Sequence, residues 1–240
     1  MSPWVPRVLL VLVAGAVIGA IVSISVGEGG PRAIEIEGGD EVITFYAGMP
    51  QEGRRLGEPE APVEIDVFTD LRSTDSMDFH AETVAPLIEE FVRPGDALIN
   101  LRHRSVGGSP VSLPAVAATI AGEQERQWQF ADLVLRNLEH AGAAADEDFL
   151  LDVADVLRGL TRDFETEEFA AELEPCADAE EATECPAAEV PRADDELATE
   201  LELTAEPALV VTGPGGSETL MNSPSLEDAR AAIERVAAAP

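Results

Sequence analysis

Residues 68–80 read FTDLRSTDSMDFH, a stretch in which an apolar run gives way to a polar turn and then to a helical pattern. The run that leads into the turn, 63–69, is short and apolar, which predicts a buried strand. After the turn, apolar side chains recur at Phe79, Val84, Leu87, Ile88 and Phe91. This helical spacing predicts a helix over 74–92.

A second strand is predicted after this helix. Pro94-Gly95-Asp96 turns the chain into a strand at 97–103. A strand–helix–strand unit of this length joins parallel strands, so we expect the two strands to be parallel. A long helical stretch is predicted next, at 114–173. Its breaks are expected near Gly122, Gly142 and Arg162.

The last third of the chain returns to strands. We predict a helix at 194–203, strands at 208–212 and 218–221, and a final amphipathic helix at 225–237. Ser225 and Asp228 have the spacing of a capping pair at the start of that helix. The predicted order is therefore β-α-β, a helical insertion at about 112–175, and then α-β-β-α.

The N-terminus is predicted to lie outside this fold. Residues 8–26 are uncharged and, at ~1.5 Å per residue, span ~28 Å, close to the hydrocarbon thickness of a bilayer. A cleaved signal peptide usually has a shorter apolar region and an A-x-A-like site, so this segment favours a transmembrane signal anchor. Arg7 and the acidic segment beyond the anchor indicate a cytoplasmic tail at 1–7. We therefore expect a single-pass protein of the cell membrane with an extracytoplasmic main domain.

Residues 27–58 are predicted to be a linker. Within it, AIEIE at 33–37 and VITFY at 42–46 have the composition of short strands separated by a Gly-Gly-Asp turn. The following GMPQEGRRLGEPEAP, rich in Gly and Pro, is typical of an extended loop. The globular domain is expected at 59–240.

The charge balance excludes one class of partner. The chain has 15 arginines, no lysine and 47 acidic residues, a formal net charge of −32. A phosphate-binding surface needs clustered cations, so nucleic acid is not an expected partner. The acidity favours a role in solubility or salt adaptation over a specific cation site.

Three stretches in this order resemble the disulfide-bond A (DsbA)-like branch of the thioredoxin superfamily over about residues 57–237. GEPEAPVEIDVFTDLRSTDS at 57–76 resembles the family's opening, first strand and active-site turn. LRHRSVGGSPVSLPAVAATIA and QWQFADLVL resemble the second strand and helices of the insertion. TAEPALVV resembles the loop that holds the family's cis-proline, which is Pro207 here. The resemblance implies an α/β, thioredoxin-like fold with a helical insertion, and the transmembrane helix predicted from residues 8–26 would precede this fold.

The sequence departs from the family where the family's chemistry takes place. The resemblance implies a Cys-x-x-Cys pair at the start of the first helix, and the matching residues here are Ser73 and Ser76. In the family a thiolate favoured by the helix N-terminus attacks a disulfide, and the second cysteine resolves the intermediate. Oxygen cannot replace sulfur in this exchange. Glu206, which precedes Pro207, would also repel an incoming thiolate, so no catalytic residue is expected at this site.

The polar turn itself has a structural interpretation. Ser73, Thr74, Asp75 and Ser76 are residue types preferred at helix N-termini, and Asp75 suits the helix dipole. These degenerate active-site positions are therefore predicted to cap the helix.

A serine nucleophile is the alternative hypothesis for the turn. Ser76 and His80 are four residues apart and would share a helix face, and Asp70 or Asp78 would orient His80. A nucleophilic serine also needs an oxyanion hole, and nothing else in the sequence indicates a hydrolase.

The remaining histidines do not predict a metal site. His103 and His140 are isolated, and with His80 they form no H-x-x-x-H spacing, so neither metal nor cofactor is expected. Arg102 and Arg104 flank His103. We interpret them as offsetting nearby negative charge, with an acidic partner as the alternative.

The chain's two cysteines, Cys176 and Cys185, lie in an acidic stretch at 174–190. In an oxidising compartment such a pair predicts a local disulfide. Closing a loop of ~10 residues stabilises by about 2.5–3 kcal/mol in the chain-entropy model. A redox role for the pair is the alternative. The neighbouring acids Glu174, Asp178 and Glu184 would raise the thiol pKa values, which disfavours a reactive thiolate.

Two functional classes remain. In the first, the protein is a non-catalytic module that holds an extracytoplasmic polypeptide in the groove near Ser73 and Pro207, which binds extended chains in the family. In the second, it is an oxidoreductase-type protein that uses Cys176 and Cys185 or a partner's thiols. The serines favour the first.

Overall fold

The computed structural model describes residues 35–105, 111–141, 145–177 and 185–238. The strands are β1 (Gln51–Glu52), β2 (Arg55–Leu56), β3 (Val63–Thr69), β4 (Ala97–His103), β5 (Ala208–Gly213) and β6 (Gly216–Met221). The helices are α1 (Gly39–Tyr46), α2 (Thr74–Phe79), α3 (Ala85–Leu87), α4 (Leu113–Glu123), α5 (Gln127–Arg136), α6 (Leu138–Ala141), α7 (Glu147–Thr161), α8 (Thr166–Leu173), α9 (Glu189–Glu200) and α10 (Leu226–Ala237). The predicted order of strands, helical insertion, strands and final helix is confirmed.

The strands form a six-stranded sheet in the order β1-β2-β4-β3-β5-β6. Strands β3 and β4 are parallel, as predicted, with Val63 opposite Ala97 and Thr69 opposite His103. The other neighbouring pairs are antiparallel. Because β3 and β4 are parallel, their carboxyl ends lie at the same edge of the sheet. The polar turn that follows β3 therefore lies beside the end of β4.

The predicted helix over 74–92 is confirmed, but its hydrogen bonding is not uniform. Two π-helical segments, His80–Val84 and Ile88–Val92, lie on either side of α3. Pro86, in α3, has no N–H for the helical ladder. The wider turns thus flank the position where the helical ladder lacks a donor.

The two faces of the sheet bury different kinds of side chain. On one face, Ile65, Val67 and Leu101 belong to the main apolar core, which also includes side chains of the insertion, α10 and the helix over 74–92, called the first helix below because it is the helix of the β-α-β unit. On the other face, Phe68 and Val210 form a small cluster with side chains from the α9 region. Much of the rest of that second face is polar, and ion pairs contribute to the attachment of α9.

Asp194 of α9 makes those ion pairs. Its side chain is 1% exposed and accepts hydrogen bonds from Arg54 and Arg102 and from the backbone N–H of His103. Arg102 also pairs with Asp66 at 2.6 Å. These contacts join the β1–β2 hairpin, the sheet and α9.

The prediction of a strand at 42–46 is wrong, because these residues belong to α1. Val42 and Tyr46, one helical turn apart, are both buried, so packing on one face outweighs the strand preference of VITFY. Gly39 permits close packing, because a Cβ there would lie 2.7 Å from Leu160 Cδ1. Residues 35–38 form no strand either, and residues 33–34 of the other predicted strand lie outside the described residues.

The loop predicted after α1 contains two short strands. β1 and β2 form an antiparallel hairpin, and β2 pairs with β4 through Leu56 and Ile99. Leu56 is fully buried. A two-residue strand is too short to show an alternating pattern in sequence, which is why this edge of the sheet was not predicted.

The C-terminal elements agree with the predicted types, with shifted bounds. α9 begins at Glu189 rather than 194, and its Pro191 lies in the first turn, where a missing N–H is tolerated. α10 begins after Ser225, whose hydroxyl accepts the Asp228 N–H at 3.2 Å and donates to the Asp228 carboxylate at 2.6 Å. The predicted capping pair is confirmed.

Among the helices of the described ranges, none is both long and apolar enough to cross a bilayer. The anchor predicted at 8–26 lies outside the described residues.

Candidate functional site

The polar turn after β3 caps the first helix. Ser73 has an extended backbone, with φ −98° and ψ 128°, and its Oγ accepts the Ser76 N–H at 3.4 Å. Asp75 lies in the first helical turn and, like Thr74, is exposed. This is the geometry of a helix N-cap with a favourable carboxylate near the positive end of the helix dipole.

Ser76 is not arranged as a nucleophile. Its side chain is fully buried, and its Oγ has no hydrogen-bond partner among the described residues. A nucleophilic serine needs a base within hydrogen-bond distance, so His80 does not activate it here. The Ser76–His80 hypothesis is therefore wrong for this conformation.

His80 contacts partners that the sequence did not indicate. Its Nε2 lies 3.3 Å from Tyr46 Oη and 3.8 Å from Asp132 Oδ1. Asp132 also accepts a 2.7 Å hydrogen bond from Arg136. Burial lowers the pKa of His80 in spite of the nearby carboxylate, which keeps the ring neutral near pH 7. This network joins α1 and α5 to the first helix.

Neither Asp70 nor Asp78 orients His80. Asp70 instead accepts hydrogen bonds from Arg72 Nε at 3.1 Å and Arg72 Nη2 at 2.9 Å, and Asp78 is exposed. No sequence spacing could have pointed to Tyr46 and Asp132, because they approach His80 only when α1 and the insertion pack on the helix over 74–92.

The cis-proline loop lies beside the polar turn. The Glu206–Pro207 peptide bond is cis. Ala208, the next residue, pairs with Phe68 across the antiparallel β3 and β5 strands, so Pro207 comes level with the end of β3. The Pro207 carbonyl accepts the Ser223 N–H at 3.1 Å, which ties the loop to the end of β6. The polar turn and this loop therefore form the two sides of one site.

Glu206 gives the site a titratable group near neutral pH. Burial, followed by the nearby Asp70, raises the pKa of Glu206 to about 7, although Arg104, Arg72 and a backbone hydrogen bond from Asp70 act in the opposite direction. Its Oε2 is buried without a hydrogen-bond partner among the described residues. The side chain as a whole is only half-buried.

Several buried polar atoms without partners lie at this end of the sheet. Within the described part of the chain they include Thr69 Oγ1, Ser76 Oγ, His103 Nδ1, Arg104 Nε and Nη1, and Glu206 Oε2. All of them follow or end β3 and β4 or precede β5. Each such atom costs free energy relative to a satisfied one, so a concentration of them is typical of a functional site.

The strand-end residues 102–104 have internal partners. Arg102 pairs with Asp66 and Asp194, and Arg104 Nη2 donates to the Leu203 carbonyl at 2.6 Å. His103 is buried, its Nε2 lies 3.0 Å from Gln127 Nε2, and burial lowers its pKa to about 4. The expected charge-offsetting role describes both arginines. The sequence did not indicate Asp194 as their partner.

The part of the chain that the structure describes holds no group of three or more His, Cys, Asp or Glu side chains suited to a metal ion. His140 is exposed on the short helix α6.

Cys176 and Cys185 are joined by a disulfide, with their Cα atoms 5.5 Å apart. Cys176 is fully buried and Cys185 is 7% exposed. Short 3₁₀ turns, Glu174–Cys176 and Pro186–Ala188, lie at the two ends of the linkage. Both sulfur-bearing residues belong to the main apolar core, and α9 begins directly after the second turn.

A cleft of about 770 Å³ lies away from this site, between the β1–β2 hairpin, the sheet and the start of α9. Its lining includes Arg54, Arg102 and Asn100. Arg54 pairs with Asp194, Arg102 with Asp66 and Asn100 with Glu64, so these three side chains help to hold the fold together.

Comparison with known proteins identifies the family. The family model described as thioredoxin matches residues 50–234, and the chain therefore belongs to this thioredoxin family. No curated protein sequence matches the chain.

Solved structures of DsbA proteins have a similar fold. BdbD from Bacillus subtilis in its oxidised form is 17% identical, with 78% of this chain and 96% of that chain covered and a TM-score of 0.61. Chlamydia trachomatis DsbA is 16% identical, with coverage of 76% and 90% and a TM-score of 0.59. Wolbachia pipientis α-DsbA1 is also 16% identical, with coverage of 79% and 91% and a TM-score of 0.57. The fold is thus the DsbA-like, thioredoxin-like fold with a helical insertion.

Proposed function

We propose that this protein is a membrane-tethered, extracytoplasmic thioredoxin-fold module that binds a polypeptide and has no thiol–disulfide activity at the family's usual position. The observation on which this depends is the pair Ser73 and Ser76 beside cis-Pro207. The chain's two cysteines are bonded to each other elsewhere, so no thiol of this chain is available at the helix N-terminus.

Polypeptide binding is proposed because the cis-proline loop lies beside the polar turn although serines stand at the two cysteine positions. Thr74 on the polar turn, Thr204 on the cis-proline loop and Met221 at the end of β6 are all exposed. Thr204 Oγ1 lies 3.8 Å from Met221 Sδ, so these two residues adjoin. Hydroxyl groups and a flexible thioether suit a surface that accepts an extended chain of variable sequence.

The alternative function places thiol chemistry at Cys176 and Cys185 or on a partner. The burial of both cysteines opposes it, because an attacking thiolate must reach a sulfur in line with the S–S bond. The acidic surroundings also disfavour the thiolate form. The binding module is therefore the function that we favour.

The membrane tether is proposed from residues 8–26, whose length and composition suit a single span. With an anchor, the full chain expressed in bacterial cells stays with the membrane after high-salt washing, and protease added to spheroplasts degrades the domain. Release by high salt, or full protection from the protease, would contradict the tether and its orientation respectively.

The binding function is tested with an unfolded model polypeptide and the purified full chain in mild detergent. Thr74→Trp places a bulky side chain on the exposed surface of the polar turn and is expected to weaken binding at least tenfold. Ser217→Trp is the matched control, because Ser217 is exposed at the opposite end of the β5–β6 hairpin, and it should bind as the unaltered chain does. Equal binding by both variants would contradict a site at the groove.

A further inference from the structure

Strand β6 forms an edge of the six-stranded sheet, and its outer side has no neighbouring strand among the described residues. The strand is six residues long, and its register with β5 is continuous, so no bulge interrupts it. Its sequence, GSETLM, contains no proline or lysine, the residues that commonly block pairing at a sheet edge. The outer side of β6 is therefore open to a further strand.

The register of the β5–β6 hairpin determines which backbone groups face outward. Gly213 pairs with Gly216 across a two-residue loop, and this closing pair of a tight hairpin is hydrogen bonded. Hydrogen-bonded and non-hydrogen-bonded pairs then alternate, so Thr219 and Met221 belong to non-hydrogen-bonded pairs. Their N–H and C=O groups are directed away from β5, and no backbone hydrogen bond from elsewhere in the described residues reaches them.

The side chains at this edge present no unpaired charge. Thr219 and Met221 are both exposed, Met221 by 41%, and they lie on the same face of the sheet as Val210, which is opposite Thr219. Glu218, on the other face, is bound by Arg235 through two guanidinium nitrogens. An added strand would therefore meet a hydroxyl and a thioether on its exposed side.

The end of β6 adjoins the cis-proline loop. The Thr204 N–H donates to Met221 Sδ at 3.4 Å, and the Ser223 N–H donates to the Pro207 carbonyl at 3.1 Å. A polypeptide that pairs with Thr219 and Met221 would therefore reach the loop that forms one side of the candidate site.

The net charge of the chain decides between the occupants of this edge. Two copies of a chain with a formal charge of −32 repel each other, which opposes pairing of β6 with the β6 of a second copy. A neutral or basic segment of another polypeptide does not meet this repulsion. The edge therefore suits a foreign extended chain better than a second copy.

We propose that the bound polypeptide adds to β6 as a further strand, through the backbone N–H and C=O groups of Thr219 and Met221. This inference rests on the proposed binding function and specifies its ligand, an extended neutral or basic segment. Main-chain hydrogen bonds supply the affinity, and alternate side chains of the added strand contact Met221. Ser217, beside the hairpin loop, lies outside this pairing, in agreement with the normal binding expected for Ser217→Trp.

Thr219→Pro tests the pairing in the full chain in mild detergent, with unfolded ribonuclease A whose cysteines are alkylated as the probe. Proline removes the outward N–H and places its ring at the edge, but it breaks no hydrogen bond to β5. We expect binding to be at least tenfold weaker. Thr219→Val keeps the N–H, so it is the matched control and should bind as the unaltered chain does. Equal binding by both variants would overturn the pairing at β6.

Amide hydrogen exchange in the unaltered chain provides a second measurement that needs no variant. The amides of Thr219 and Met221 should exchange quickly in the free chain and at least tenfold more slowly when the probe is bound. The Leu220 amide faces β5 and is the internal control, which should exchange slowly in both states. Unchanged exchange at Thr219 and Met221 in the saturated complex would overturn the inference.

The outcomes separate this inference from the proposed function. No binding of the probe by the unaltered chain would contradict the binding module itself. Binding that Thr74→Trp weakens and Thr219→Pro leaves unchanged would keep the module and overturn the pairing. Amide protection at Thr219 and Met221 that rises with the concentration of the chain alone would assign the edge to a second copy and would also overturn it.

Discussion

Two regions of the molecule divide between them what thiol–disulfide chemistry requires. The start of the first helix has the setting, with a helix N-terminus beside a cis-proline, but it holds Ser73 and Ser76. The region around α8 and α9 has the sulfur, but there Cys176 and Cys185 are buried and bonded to each other, with a short 3₁₀ turn at each end of the linkage. The backbone geometry of an active site and the reactive side chains in it are separate properties of a protein, and a chain can have either one without the other.

The comparison explains why the family does not by itself define the activity. The fold supplies the groove, the helix dipole and the cis-proline through backbone geometry, which many sequences can satisfy. Thiol–disulfide exchange depends in addition on two sulfur atoms, one from each cysteine of the Cys-x-x-Cys pair. The following predictions test the active-site geometry at the start of the first helix and the structural role of the Cys176–Cys185 disulfide.

The largest expected effect is a gain of function at the helix N-terminus. Ser73→Cys/Ser76→Cys is expected to create disulfide-exchange activity, because Ser73 is partly exposed and Ser76 is buried, which suits an attacking and a resolving thiol. The rate of insulin reduction should rise at least tenfold above that of the unaltered chain. Alkylation against pH should give a thiol pKa below about 8.5 at position 73.

Two further variants sharpen this test. Ser73→Cys alone should form a mixed disulfide that is not resolved, visible by mass spectrometry. Adding Glu206→Gln to the double variant should increase the rate, since it removes a negative charge beside the attacking thiolate. An inert double variant would mean that the setting was lost together with the sulfur.

The second effect concerns the disulfide as a structural element. Cys176→Ser/Cys185→Ser should lower the free energy of unfolding by about 2.5–3 kcal/mol, from the entropy of a ~10-residue loop, measured by chemical denaturation. The unaltered chain with its disulfide reduced is the matched control, because it loses the cross-link without placing hydroxyls in the core. A stability that is unchanged in both would contradict the structural role.

A smaller pair of effects separates the two serines. Ser73→Ala removes the helix cap and should destabilise the protein by about 1 kcal/mol. Ser76→Ala removes a buried hydroxyl without a hydrogen-bond partner and should be neutral or stabilising. Denaturation curves of both variants measure the difference. A marked destabilisation by Ser76→Ala would reveal a contact for this hydroxyl and would reopen a role for it.

The smallest effect is the dependence of stability on pH through Glu206. Its pKa is raised in the folded protein to about 7 from the ordinary value of 4.5, so the folded state binds the proton more tightly. This contribution to stability is complete below pH 4.5 and is lost as the pH rises to about 7. Because water screens the exposed half of the side chain, we expect a loss on the order of 1 kcal/mol.

Glu206→Gln should abolish this loss and be the more stable protein at pH 8. Urea denaturation at several values between pH 5 and pH 8 gives the comparison. An equal decline in the variant would assign the pH dependence to another group.

Much of the fold could be predicted because its main elements have strong local signals. The apolar run at 63–69, the helical spacing over 74–92 and the capping pair Ser225 and Asp228 each agree with the structure. α1 was mistaken for a strand because the strand preference of its residues is outweighed by packing on the insertion, a contact that the local sequence does not contain. The β1–β2 hairpin was missed because its strands have two residues each.

The position of the candidate site could be predicted from the sequence, but the contacts between its residues could not. The polar turn and Pro207 were found through local patterns and resemblance. The partners of His80 and Arg102, namely Tyr46, Asp132 and Asp194, are distant in sequence and have no spacing rule. The pKa of Glu206 likewise depends on burial and on Asp70, which only the folded chain brings together.

Disulfide exchange by the full chain, measured on a reduced and an oxidised model substrate, tests the central claim most directly. Cys176→Ser/Cys185→Ser is measured beside it under the same conditions. We predict no activity above the uncatalysed rate in either protein. Activity in the unaltered chain that disappears in the variant would contradict the binding-module account and would place the reactive sulfurs in the acidic stretch 174–190.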